Sequence, residues 1–254
     1  WMVGWIHLFL GEFEAARDAL GRFHALGETT GDPRIQCNAG GMLGLLEATV
    51  GEPVKAIAMC RRAVERAPAA YDQALALGWL GYALLENGDH SEAVAGLEEA
   101  DRKASEYRSL QIQALFKAYL GDACLAASRL DEAQALSTRA REIAGEVGCP
   151  PVAALATRTL GRIAHARGSA GAARALLGEA RESFAAMEMR FELARTFLDL
   201  AAAAHGEANA TATAASLREA HALCSSLGAS RDVARTEALA RAVGVTLPQP
   251  PAPA

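Results

Sequence analysis

A small residue returns along this chain at a nearly constant interval: Gly4, Gly44, Gly81, Gly121, Gly161 and Ala201, with gaps of 40, 37, 40, 40 and 40. Twelve residues on, the same register holds Ala16, Ala56, Ala93, Ala133, Ala173 and Thr213. Four further on come Leu20, Cys60, Leu97, Ser137, Leu177 and Leu217, and three beyond those Phe23, Ala63, Ala100, Ala140, Ala180 and Ala220. A turn column lies seven residues after the first, with Gly11, Gly51, Gly88 and Gly168. There the third full copy has Ser128, and the last slips to Gly206, two residues early. A unit of this length cannot bury its apolar face alone, so copies must stack.

The columns have a physical reading as helix pairs. The small residue of the first column lets two antiparallel helices approach closely. The residue before it is apolar (Val3, Leu43, Leu80, Leu120, Leu160, Leu200) and is expected to bury into the pair. The turn glycine accepts a left-handed conformation and ends the first helix. The second helix shows one-face spacing, as in Ala93, Leu97 and Ala100. Caps are expected at Asp89 or Ser91, at Asp131 and at Ser169. Composition agrees: 59 of 254 residues are alanine and 6% are aromatic. Alanine is the best helix former, whereas strands want aromatic and β-branched residues, so an all-β fold is excluded.

This register resembles the tetratricopeptide repeat, Trp-x₂-Leu-Gly-x₂-Tyr followed by Ala, a large apolar residue, Ala and Pro. The best copies are Leu77–Leu80–Gly81–Leu84–Ala93–Leu97–Ala100 and Gly44–Ala56–Ala63–Pro68. The small-residue columns hold and the aromatic positions are mostly degenerate. HEAT and armadillo repeats also have periods near 40 but lack this register. The period exceeds the usual ~34, which implies longer helices or longer inter-repeat loops. The resemblance implies an all-α fold, a right-handed α-solenoid of antiparallel helix pairs. It covers residues 1–229 as about six hairpins, the first truncated, with a capping helix at 230–244 and a disordered proline-rich tail at 245–254. Repeats of this length are similar to the sensor arms of bacterial signalling ATPases, among them maltose-regulator-type activators and multidomain cyclases and kinases. That implies a non-catalytic protein-interaction or regulatory domain, the C-terminal arm of a larger protein. The alternative it implies is a small-molecule sensor, for example of an oligosaccharide in the groove. Stacking aromatics, which sugar sites usually need, are scarce here.

At the N-terminus Trp1, Trp5 and Phe9 share one helical face. A terminal repeat normally shows a polar outer face. These rings are therefore expected either to pack on the second repeat, or to be covered by an upstream segment or by self-association through this edge. At the other end a helix over 231–243 is expected, capped by Ser230. Arg231, Asp232, Arg235, Glu237 and Arg241 would face solvent, with Val233, Ala234, Ala238, Leu239 and Val243 on the last pair.

The net charge of -5 argues against a nucleic-acid surface spanning the molecule. No apolar run reaches the roughly 18–20 residues of a membrane span. Five widely spaced cysteines with no CxxC read as small buried residues in a reducing compartment, the cytoplasm. There is no GxxxxGK[ST], HExxH, GxSxG or GxGxxG. The six histidines show no metal-ligand spacing, so no metal, cofactor or catalytic group is expected. Binding remains. In this architecture the first helices line a concave groove, which places Tyr82, Glu86, Asp122, Arg158, Arg162, His165, Arg195 and His205 inside it. Arg158, Arg162 and His165 form one ridge. With Arg195 they would make a positive strip for a carboxylate, a phosphate or a partner's acidic segment; otherwise they are a solvated face.

Overall fold

The computed structural model describes residues 1–248, and within them the chain forms thirteen helices and no strand. They are α1 (Met2–Leu10), α2 (Phe13–Thr30), α3 (Pro33–Val50), α4 (Pro53–Arg66), α5 (Ala70–Asn87), α6 (His90–Glu106), α7 (Leu110–Ala126), α8 (Leu130–Glu146), α9 (Pro150–Ala166), α10 (Ala170–Ala186), α11 (Arg190–Gly206), α12 (Ala210–Leu227) and α13 (Ser230–Ala242). Odd-numbered helices are the first of each pair. From Gly88 to Gly228 a residue with positive φ recurs every 20 residues: Gly88, Arg108, Ser128, Gly148, Gly168, Glu188, Ala208 and Gly228. A half-repeat is thus a helix of 17 or 18 residues and a very short connection. The long period lies in the helices and not in the loops.

The turn column does not slip to Gly206 in the last copy. Ala208 holds the register, at φ 56°, and Gly206 stays helical. A left-handed conformation costs an L-residue about 1–2 kcal/mol, part of which glycine returns through greater freedom in the unfolded chain. Ala208→Gly is therefore expected to stabilise the protein by about 0.5–1 kcal/mol in urea unfolding.

The columns meet within each hairpin. A methyl group at Gly4, Gly44, Gly81, Gly121 or Gly161 would overlap Leu20, Cys60, Leu97, Ser137 or Leu177 respectively, always sixteen residues on. All five of those partners are fully buried, as are Ala16, Ala56, Ala93, Ala133 and Ala173. In the preceding column Leu120 and Leu160 are buried, but Val3 is exposed. Asp89 and Ser169 sit at N-cap positions without a side-chain cap bond, and Asp131 lies inside the first turn of α8.

Successive first helices touch one another (α3 with α5, α5 with α7, α7 with α9, α9 with α11), so they form the inner layer and the second helices the outer one. The superhelix is tight enough for distant repeats to meet. Phe13 packs edge-on to Phe191, with ring centroids 5.5 Å apart. One cluster holds Leu8 and Leu45 together with Phe191, Ala194 and Cys224. The Ser230 hydroxyl, expected to cap the last helix, points instead at the Val50 carbonyl, 3.5 Å away; the N-cap position belongs to Ala229.

The last helix is also rotated from its expected setting. Asp232, Thr236 and Ala240 are its buried residues, whereas Ala234 and Ala238 are exposed. Two charged groups expected in solvent turn inward, because Asp232 and Arg231 each find a buried partner of opposite charge. Val245 and Leu247, assigned from sequence to a disordered tail, pack beside Leu239 and Val243; residues 249–254 lie outside the described residues.

Candidate functional site

Because first helices line the interior, their two ends make two different surfaces there. The C-terminal halves of α5 and α7 and the middle turns of α9 and α11, closed by α13, surround a polar vestibule of about 260 Å³. Its wall includes Glu86, Asp122, Arg158, Arg162, Arg195, Asp199, Asp232 and Arg235. Glu86 is the hub, only 5% exposed. Arg195 donates to both its carboxylate oxygens at 2.8 Å, Arg231 donates at 2.8 Å, and Arg235 lies at 3.5 Å. Burial alone would raise the Glu86 pKa, but Arg195, Arg235 and Arg231 more than offset it and hold it at about 2. Arg195 also reaches Asp232 at 3.2 Å and stacks on the Phe191 ring, 4.5 Å from its centroid.

The arginine ridge exists, but not as a bare positive strip. Arg158 is buried and donates to Glu192 at 2.5 Å, while Arg162 pairs with Asp122. Asp199 lies 3.5 Å from the Arg162 Nε, and burial raises its pKa. Glu86, Asp122, Arg158, Arg162 and Arg195 thus come together. Tyr82 lies just behind them, its hydroxyl 3.3 Å from Arg195. His165 packs at the end of α11 beside Gly206 and His205 is exposed; neither lines the vestibule. Sequence reading missed Glu192, Asp199, Asp232, Arg231 and Arg235. A signal was available: the sixth position before each small-column residue reads Asn38, Leu75, Leu115 and Leu155, then changes to Arg195, and Arg235 stands forty residues on.

The N-terminal halves of α3, α5, α7 and α9, with α1 and the connection before α11, surround an apolar bowl of about 870 Å³. Its wall is built from two columns, ten and nine residues before the small column: Arg34, Tyr71, Gln111 and Pro151, then Ile35, Asp72, Ile112 and Val152. Leu75, Leu115 and Trp79 form more of it. Asp72 is buried and occupied, since Arg34 Nε and Asn38 Nδ2 both donate to it at 3.2 Å. The Trp79 indole N–H is buried and finds no acceptor. Trp5 and Phe9 meet as tilted rings, centroids 5.0 Å apart, and turn into this wall, while Trp1 stays 58% exposed at the rim. A separate small cavity of about 30 Å³ lies beside Phe9, Tyr82, Tyr119 and Phe191.

Among the described residues no three His, Cys, Asp or Glu side chains are placed to hold a metal ion, and no helix is long and apolar enough to cross a membrane. All five cysteines are free thiols.

No protein-family profile and no curated protein matches the sequence. Solved structures do match in shape. A Rap protein complexed with competence and sporulation factor aligns over 95% of this chain and 72% of its own, at TM-score 0.71 and 14% identity. The tetratricopeptide sensor-bearing signal-transduction ATPase with numerous domains from Pyrococcus horikoshii aligns over 92% of this chain and 36% of its own, at TM-score 0.62 and 16% identity. BtubC from P. vanneervenii aligns over 98% and 96%, at TM-score 0.58 and 15% identity. With its hairpins, its register and these neighbours, the chain has the fold of the tetratricopeptide-like helical-repeat solenoids.

Proposed function

We propose that this chain is a non-catalytic regulatory repeat domain that receives a segment of a protein partner in its interior. The observation that carries this reading is the apolar bowl: at about 870 Å³ it lies in the upper part of the ~300–1,000 Å³ range of ligand pockets, on the face that the fold turns inward. Structural neighbours include a Rap protein bound to competence and sporulation factor and an ATPase with a repeat sensor. The reading extends to a cytoplasmic chain that is the arm of a larger bacterial signalling protein, an ATPase, cyclase, kinase or transcription regulator; the repeat sensor carried by the ATPase neighbour supports the arm. Of the residues singled out in the sequence, Asp122 and Arg162 are assigned to ligand reception at the vestibule. Glu86, Arg158 and Arg195 are assigned to holding the superhelix closed. The second reading, a small polar ligand, belongs to the vestibule, whose wall is rich in hydrogen-bonding groups.

Selection of peptides on the immobilised protein tests the first reading. Binders are expected with micromolar Kd, and Leu75→Glu, which puts a charge into the half-buried bowl wall, should weaken them at least about tenfold in a protein that melts at a lower temperature but is still folded under the binding conditions. Binders indifferent to Leu75→Glu would move the receiving surface elsewhere.

A further inference from the structure

Five first helices begin eleven residues before their small-column residue, at Pro33, Ala70, Leu110, Pro150 and Arg190. The α1 helix begins at Met2, two residues before Gly4, and has 9 residues against 17 or 18 in the others. Beside α1 the inner layer is therefore open over nine residues, a length of about 13 Å as helix. The bowl reaches the outer layer through this opening. Among the described residues, Phe23 of α2 is the only second-helix side chain in its wall. A helix of nine residues and about 10 Å across occupies about 1,000 Å³. That is close to the 870 Å³ of the bowl.

We propose that the occupant of the bowl is a helical segment of a separate protein chain, two to three turns long, lying along this opening with Phe23 beneath it. This rests on the reading of the bowl as the receiving surface. Backbone chemistry favours the helix. An extended segment would press its N–H and C=O groups against apolar side chains, and the polar groups there, Arg34, Asn38 and Asp72, are already bonded to one another. Each buried backbone group left without a partner is costly, whereas a helix satisfies its own and offers the wall only side chains. The paired Arg34 and Asp72 leave no preferred sign, so anchoring falls to large apolar groups. Size favours a short segment: half the circumference of such a helix covers about 300 Å². Both surfaces together stay well below the ~1,200 Å² of a stable subunit pair, which suits reversible capture.

Phe23 favours a helix that is not continuous with α1. In the other five hairpins its column holds Ala63, Ala100, Ala140, Ala180 and Ala220, all buried. First helices meet that column with small residues: Cys37, Ala74, Ala114 and Ala154 share core clusters with the first four alanines. Gly4 sets α1 against Leu20 at the same close approach. A helix running on along the α1 axis would thus meet the Phe23 ring at a spacing that elsewhere admits alanine. A separate helix can stand off by the thickness of the ring, since interaxial distance follows side-chain size.

The test uses two synthetic peptides of about 12 residues, with leucines at i, i+3, i+4 and i+7 and uncharged alanine and glutamine elsewhere. The second differs by one central proline, which breaks a helix and spares an extended chain. In fluorescence anisotropy with the full chain, the first is expected to bind with micromolar Kd and the second at least about tenfold more weakly. Circular dichroism should show the first peptide gaining helix as it binds. Phe23→Ala should weaken it about tenfold, and Phe23→Leu, which keeps an apolar floor and controls for folding, should restore most of the loss. Unchanged binding to Phe23→Ala overturns the seat on the ring. Tighter binding overturns the separate chain, because the ring would then obstruct a helix continuous with α1. Equal binding of the proline peptide overturns the helix and leaves the bowl as receiving surface. If neither peptide binds, the reading of the bowl fails with it. Sedimentation showing a dimer with both peptides excluded would make the occupant a second copy and overturn the proposal.

Discussion

Glu86→Ala is expected to destabilise the protein by about 3–5 kcal/mol, the usual cost of removing one partner from a buried ion pair. Glu86 is 5% exposed and is the acceptor for Arg195 and Arg231, with Arg235 close by. Without it, Arg195 keeps only Asp232 among its carboxylate contacts, while its side chain stays 12% exposed. Acid should produce the same loss reversibly. A carboxyl held at about 2, against an ordinary 4.5, is stabilised when charged; the benefit is present above pH 4.5 and disappears as pH falls towards 2. A shift of that size corresponds to about 3 kcal/mol. Asp199 works in the opposite sense. Burial raises its pKa, so its contribution is favourable at low pH and is lost as pH rises, which softens the net slope. Urea unfolding at pH 6 and pH 3 checks both points. Glu86→Gln should be much less pH-sensitive than the wild type, and parallel losses in the two proteins would show that the acid transition lies elsewhere.

The second large effect concerns the seam between the α5 and α7 helices. Gly78 lies against the ring of Phe116, which is fully buried, and a methyl group at position 78 would overlap that ring. Phe116→Ala is expected to cost about 3–5 kcal/mol through lost burial and the cavity left behind. Gly78→Ala alone should cost about 1–3 kcal/mol, because a ring packed on all sides has nowhere to move. The two are coupled: with Phe116 already truncated, the added methyl meets empty space. The double variant should be less destabilised than the sum of the singles by about 1–2 kcal/mol, measured as a double-mutant cycle. Strict additivity would mean that the helices separate instead of the ring resisting.

The hairpins were legible in the sequence because their contacts are local and repeated. Gly81 meets Leu97 sixteen residues away, and the same pair of columns recurs in four other hairpins, so each copy corroborates the others. The turn at 208 was misread because the left-handed position there carries alanine, and Gly206 offered a cheaper candidate. Closure was not legible. Glu86 meets Arg195 across 109 residues and Arg231 across 145, and such meetings depend on the pitch accumulated over several repeats. The ridge of Arg158 and Arg162 and the acid Asp122 could be read from spacing, whereas Glu192 and Asp199 on α11, which complete its neutralisation, could not. The bowl was not legible although its columns are regular, because Arg34, Tyr71, Gln111 and Pro151 mix polar and apolar side chains as an ordinary half-exposed helix face does.

An open stack of repeats can be lengthened by one more unit at either end, since each unit answers only to its neighbours. Here the Phe13–Phe191 contact and the Glu86 hub join units that are far apart in the count. The molecule therefore behaves as a loop of fixed circumference. Inserting or deleting a whole repeat of about 40 residues, tolerated in a linear array, would leave these residues facing the wrong partners. The number of repeats is itself a structural parameter, set by the condition that the circuit closes.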